Sequence, residues 1–155
     1  MTTHSSTNAS RREWLGVLAH APRELLTKLA GSIRDDGFET LRAPEIGLTM
    51  LRARVGNRGD RFNLGEATVT RCVVRHRDAR GQVSAGVGYV LGRDEERAQW
   101  VARIDALLQQ PTHQEAMLRD VIAPLAQAIA ARRAEERAAT AASRVRFYTL
   151  APETA

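Results

Sequence analysis

The sequence predicts an α+β fold: an antiparallel sheet of about four to five strands, an N-terminal helical hairpin and two longer C-terminal helices. Three observations lead there. Residues 67–77 and 83–91 alternate as strands around the turn signal Asp78–Ala79–Arg80–Gly81. Two short helical patterns joined by Pro22 precede them. After Asp94 the apolar spacing changes from two to 3.6 residues and stays there for most of the chain.

The first nine residues are small and polar, and read as an unstructured tail. Ser10 and Glu13 match a capping box, which starts a helix carrying Trp14, Val17 and Leu18 and ending near His20. A protonated His20 suits the negative end of that helix, and no second His or Cys stands near it at metal spacing. Pro22 opens a second helix with Leu25, Leu26 and Leu29 on its apolar face and Gly31 near its end.

A brief strand over 38–42 stops at Pro44, which cannot donate to a ladder. Ile46, Leu48 and Met50 alternate with Gly47 and Thr49, and the pattern runs to Val55. Gly56, Asn57 and Gly59 mark a loop, and Asn63 to Glu66 reads as a polar glycine loop leading into the strongest strand, 67–77. Gly86 and Gly88 in the return strand signal a bulge or a close backbone approach. Asp94 is placed as the N-cap of a helix whose stripe is Trp100, Val101, Ile104, Leu107 and Leu108. Pro111 ends it. A further helix starts near His113, is kinked or split by Pro124, and continues as an Ala-rich run over 126–142. RVRFYTL, 144–150, reads as a last strand or an extended arm.

At 155 residues the chain is one ordinary domain, placed at 10–150 between a tail at 1–9 and another at 151–155. A chain of this size buries roughly 70% of its unfolded surface without a metal or disulfide. Its formal net charge is +5, and Lys28 is the single lysine among 23 basic residues. Arginine's planar fork suits carboxylates, phosphates and protein interfaces; a genome that favours Arg codons gives the same composition. The lone Cys72 excludes an internal disulfide and falls mid-strand, where a small buried thiol belongs. No secretory leader is visible in MTTHSSTNAS, and no 18 apolar residues run together, so the expected location is the cytoplasm with no membrane contact.

Walker, Rossmann, nucleophile-elbow and zinc spacings are all missing from the sequence. The remaining polar constellation is Arg61, Arg71 and Arg93 with Asp60, Glu66 and Asp94. Of these, Arg61, Glu66, Arg71 and Arg93 are the candidate substrate-binding residues, with no catalytic or metal-binding residue assigned. Gly92–Arg93–Asp94 at a helix start offers N–H groups and an arginine to an anion. The plainer reading is that Asp94 caps the helix and Arg93 pairs with a neighbouring carboxylate. A nucleic-acid reading has the charge in its favour but lacks interleaved exposed aromatics, so no nucleic acid is expected.

Seven segments, in order, carry a resemblance: REWLGVLAHA (12–21), EIGLTMLRARVGNRGDRF (45–62), NLGEATVTR (63–71), GRD (92–94), IDALLQQ (104–110), IAPL (122–125) and ASRVRFYTL (142–150). Together they resemble the PhnG family, subunits of the bacterial carbon–phosphorus lyase core complex. The first nine residues, the 76–83 turn and the 126–141 segment do not match. The resemblance implies a cytoplasmic assembly with PhnH, PhnI and PhnJ, two copies of each, and with the ATP-binding-cassette proteins PhnK and PhnL associated. It implies that the assembly attaches a phosphonate to ribose C1 of ATP with loss of adenine, giving ribose 1-methylphosphonate 5-triphosphate. The family places the nucleosidase-like chemistry on PhnI and the carbon–phosphorus cleavage on PhnJ. It supplies no catalytic residue for this chain and no cofactor on it, ATP being a substrate of the complex. Three roles follow as expectations. The chain is an accessory subunit, or it lends arginines to a shared substrate site, or, more remotely, it is an independent basic module for nucleic acid.

Overall fold

A computed structural model describes residues 3–33 and 36–145. The elements in order are α1 (Thr3–His20), α2 (Arg23–Ala30), β1 (Phe38–Arg54), β2 (Arg61–Arg77), β3 (Val83–Leu91), α3 (Glu95–Leu108), α4 (Pro111–Met117) and α5 (Ala123–Ala142). The strands form one antiparallel sheet in the order β1-β2-β3. Helices cover one of its faces. The α+β class and the flanking helices are those expected, but the described residues hold three strands rather than four to five.

The difference has a physical reason. The segments 38–42 and 46–55 are a single strand that passes through Pro44. Because β1 lies at the sheet edge, a proline there need cost no ladder bond, and the pairing shifts register between Thr40 and Arg42 and between Arg42 and Glu45. Asn63 to Glu66 is also strand rather than loop: Met50 pairs Glu66 and Leu51 pairs Gly65, with a further register shift between Leu51 and Arg52. The expected strand at 144–150 falls largely on 146–150, outside the described residues.

Two helix starts differ as well. α1 begins at Thr3, so Ser10 and Glu13 lie inside it and form no terminal capping box, and the expected tail is helical from Thr3. Pro111 opens α4 as well as following α3. Pro124 splits the next helix in a specific way. Residues 118–122 form a π turn, in which the Ala123 N–H bonds to the Leu118 carbonyl five residues back. Widening the turn just ahead of the proline is a known way for a helix to accommodate its ring.

The core is the seam between α3 and the sheet, closed by α1, α2 and the π turn. Leu18, Leu26, Cys72, Val74, Val90, Ile104, Leu108 and Leu125 are among its buried members. α3 lies unusually close to β3. A Cβ on Gly86 would sit 1.9 Å from the Ala102 carbonyl oxygen, and one on Gly88 the same distance from that of Ala98. Glycine is the residue such contact permits, which accounts for both strand glycines. Asp94 caps α3 as expected, its Oδ1 accepting from the Arg97 N–H at 3.1 Å.

The two sheet edges differ. In the middle of β3, the Val87 N–H donates to Asp105 at 2.9 Å and the Ala85 carbonyl accepts from Gln109 at 2.8 Å. Side chains of α3 therefore occupy groups that would otherwise pair another strand. Among the described residues nothing comparable occupies the outer edge of β1.

Candidate functional site

β1 and β2 are 17 residues long and β3 only nine. The pairing of β3 stops at Leu91 opposite Val69. Beyond that line Leu48–Arg54 and Arg61–Thr68 pair with each other, with the Thr68 carbonyl also accepting from the Gly92 N–H at 2.8 Å, and form an arm of about 23 Å at ~3.3 Å per residue. Two-stranded ribbons are marginal in water by themselves. This one carries Leu48 at 66% exposure, Met50 at 49%, Phe62 at 42% and Leu64 at 62%. Its tip adds Val55 and the exposed Arg52, Arg54, Arg58 and Arg61 against Asp60. The arm is thus apolar along its length and basic toward its tip.

The four candidate residues do not converge. Arg61 begins β2 opposite Arg54 at the arm's tip, and Glu66 lies mid-arm opposite Met50. Arg71 is ten residues from Arg61 along one strand, about 33 Å away by strand rise. Its guanidinium pairs Glu45 across the sheet at 3.3 Å, and Glu45 also pairs Arg42 at 3.1 Å. Arg93 is exposed in the turn before α3. Neither Arg61 nor Arg93 makes an ion pair among the described residues, so the pairing expected for Arg93 is not found.

The start of α3 is poorly suited to an anion. The Asp94 carboxylate already occupies it, Glu95 and Glu96 follow in the first turn, and Arg23 reaches Asp94 at 3.4 Å and Glu96 at 3.2 Å. The Asp94 N–H is held by the Thr70 hydroxyl at 3.0 Å, and that hydroxyl donates to the Gly92 carbonyl at 2.7 Å. Thr70 thus fixes the turn that Arg93 projects from.

Other polar groups serve the fold. Asp105 is fully buried and accepts from Arg11 at 2.7 Å and from the Trp14 indole at 2.9 Å, besides the Val87 N–H. Arg97 donates to the Ala19 carbonyl at 2.8 Å in the last turn of α1, and burial lowers its pKa, with Asp94 opposing. His20 bonds the Gly16 carbonyl at 2.8 Å, in keeping with its structural reading. Burial raises the Cys72 thiol above its usual range, partly offset by Arg103, so the buried thiol is unreactive near neutrality.

Nothing local in the sequence marks the arm. Alternation in 46–50 predicts a half-buried strand, and only the short length of β3 leaves those side chains uncovered. The signal available was the unequal length of the two apolar runs on either side of residue 78.

The comparisons with known proteins decide the family. The model of the phosphonate metabolism protein PhnG matches residues 9–151. The chain belongs to the PhnG family. A relative from Rhizobium meliloti (strain 1021), the alpha-D-ribose 1-methylphosphonate 5-triphosphate synthase subunit PhnG, is 43% identical over 146 residues. That alignment covers 92% of this chain and 88% of the relative. The PhnG match spans every described strand, including both strands of the arm.

Proposed function

We propose that this chain is an accessory, non-catalytic subunit of a phosphonate-processing synthase, and that the β1–β2 arm docks it onto its partners. The reaction served is the attachment of a phosphonate to ribose C1 of ATP with loss of adenine, and the partners are PhnH, PhnI and PhnJ. The arm is the observation that carries this reading. A ribbon that exposes Leu48, Met50, Phe62 and Leu64 leaves apolar area that association would remove from water. Its arginines favour a partner groove rimmed by carboxylates, which would steer and orient the encounter.

The test is co-expression with the neighbouring subunits and affinity purification through one of them. Leu48→Asp combined with Leu64→Asp should weaken capture of this chain at least a hundredfold, roughly 3 kcal/mol. The thermal melt of the variant chain should stay within a few degrees of the parent, because both side chains lie outside the core. Normal recovery of the assembled complex would defeat the docking role.

A second reading has its own observation. Arg61 and Arg93 are exposed and lack ion pairs among the described residues, so they are available to phosphates in a shared site by charge-assisted bonds. Ala substitutions at Arg61, Arg71 and Arg93 are expected to change assembly more than turnover. If complexes carrying them assemble normally but turn over a thousandfold more slowly, the arginines act on substrate and the accessory reading fails.

A further inference from the structure

We propose that the open face of the sheet along β3 is a second docking strip, one that takes an amphipathic helix with acidic flanks from another protein chain. The inference does not rest on docking by the arm. Leu48 and Met50 pair Thr68 and Glu66, which share the helix side of the sheet with the core residue Cys72. The strip lies on the opposite face.

β3 alternates strictly between buried and exposed residues. Ser84, Gly86, Gly88 and Val90 are buried toward α3, which accounts for that row. Val83, Ala85, Val87, Tyr89 and Leu91 point the other way and are all exposed, Tyr89 at 48% and Leu91 at 64%. No described helix or strand packs on them. The solvated face of an antiparallel sheet normally carries polar side chains, and β2 follows that rule with Arg71, Arg75 and Arg77. β3 breaks it at five successive outward positions. Val73 lies opposite Val87 and widens the apolar strip at its middle. The strip runs the length of β3, about 30 Å at ~3.3 Å per residue, and apolar surface of that extent marks an interaction site.

Shape and charge select the occupant. The middle of the β3 edge already bonds Asp105 and Gln109 of the α3 side, so an added strand finds its backbone groups taken. A helix is about 10 Å wide and covers 30 Å in roughly 20 residues, which matches the strip. It would supply the third layer of a sheet that its own helices cover on one face. The border of the strip is basic. Arg77 pairs Val83 in register, Arg80 lies in the turn before β3, and Arg93 follows its far end. All three are exposed and make no ion pair among the described residues. The carboxylates of the two turns are committed elsewhere, Asp78 to the N–H groups of Arg80 and Gln82 and Asp94 to that of Arg97. Glu39 and Glu45 are engaged from β1 by Arg75 and Arg71. A second copy would set its own arginines against these, and each chain carries a formal charge of +5, so like charge opposes self-association. Acidic flanks on an incoming helix are complementary.

The experiment replaces Tyr89 with the photocrosslinking residue p-benzoylphenylalanine in the full chain, co-expressed and purified with its neighbouring subunits. Irradiation should join it to another chain, and mass spectrometry of the joined peptide should find a helical segment, apolar along one face, with Asp or Glu on its flanks. Arg77→Glu combined with Arg93→Glu should lower the crosslinked yield at least tenfold, with the thermal melt of the chain within a few degrees of the parent. Raising the salt to about 0.5 M should lower the yield several-fold. The same probe at Val87 serves if the Tyr89 variant does not assemble. A crosslink to a second copy, to residues 146–155 of the same chain, or to a segment without acidic flanks would overturn the proposal. So would an assembled complex that gives no crosslink from either position, or saturable binding of the chain to phosphatidylserine vesicles that Val87→Asp abolishes.

Discussion

Gly88→Ala should unfold the chain or cost it more than about 4 kcal/mol, from the addition of one methyl group. The new carbon would lie 1.9 Å from the Ala98 carbonyl oxygen and 2.8 Å from its carbonyl carbon. Both are helix backbone, so relief requires moving α3 as a body. α3 supplies Ala98, Val101, Ala102, Ile104 and Leu108 to the core, and shifting it opens voids throughout the seam. Gly86→Ala should behave the same way, against Ala102 and Ala106. Gly47→Ala is the control. It sits in β1 with nothing within 4 Å of the new carbon, and should change stability by less than about 1 kcal/mol. Chemical denaturation of the three variants checks the set; a Gly88→Ala chain within 1 kcal/mol of the parent would show that α3 is not seated as described.

Asp105→Ala should cost about 3–5 kcal/mol, as removing one partner from a buried charged network does. Three donors from α1 and β3 lose their acceptor together, the Arg11 guanidinium, the Trp14 indole and the Val87 N–H, and the Gln109 amide loses a longer contact at 3.3 Å. The loss loosens the packing of α1 and β3 on α3. Asp105→Asn should cost less, because an amide oxygen still accepts from one or two of them. Arg11→Met should cost less than Asp105→Ala, since the guanidinium is one-third exposed while the carboxylate is fully buried. Urea titrations rank the variants; equal losses for Arg11→Met and Asp105→Ala would mean that the salt bridge alone carries the effect.

Much of this architecture was readable from the sequence, and the exceptions share a cause. α3 was specified by its Asp94 cap and apolar stripe, and β3 by alternation between a turn and a helix cap. These signals are local, and local chemistry settles them. Pro44 reads as a strand end because a proline costs a central strand a ladder bond, whereas position in the sheet decides whether that cost applies. Asn63 to Glu66 has turn composition but lies in register with β1, so long-range pairing overrode residue preference. The scatter of Arg61, Glu66, Arg71 and Arg93 follows from the same extended strand, which separates residues that a loop would have gathered.

The unequal edges of the sheet set a limit on how many strands can be added. α3 occupies the middle of the β3 edge through Asp105 and Gln109, while no described residue does the same at the outer edge of β1. A strand arriving from another molecule has one row of backbone groups to pair with, on the β1 side. Addition there consumes the row and leaves no equivalent second acceptor on the same copy. Where the arriving strand is the β1 edge of a second copy, both rows are consumed and the association closes, unlike the open-ended stacking that leads to fibres.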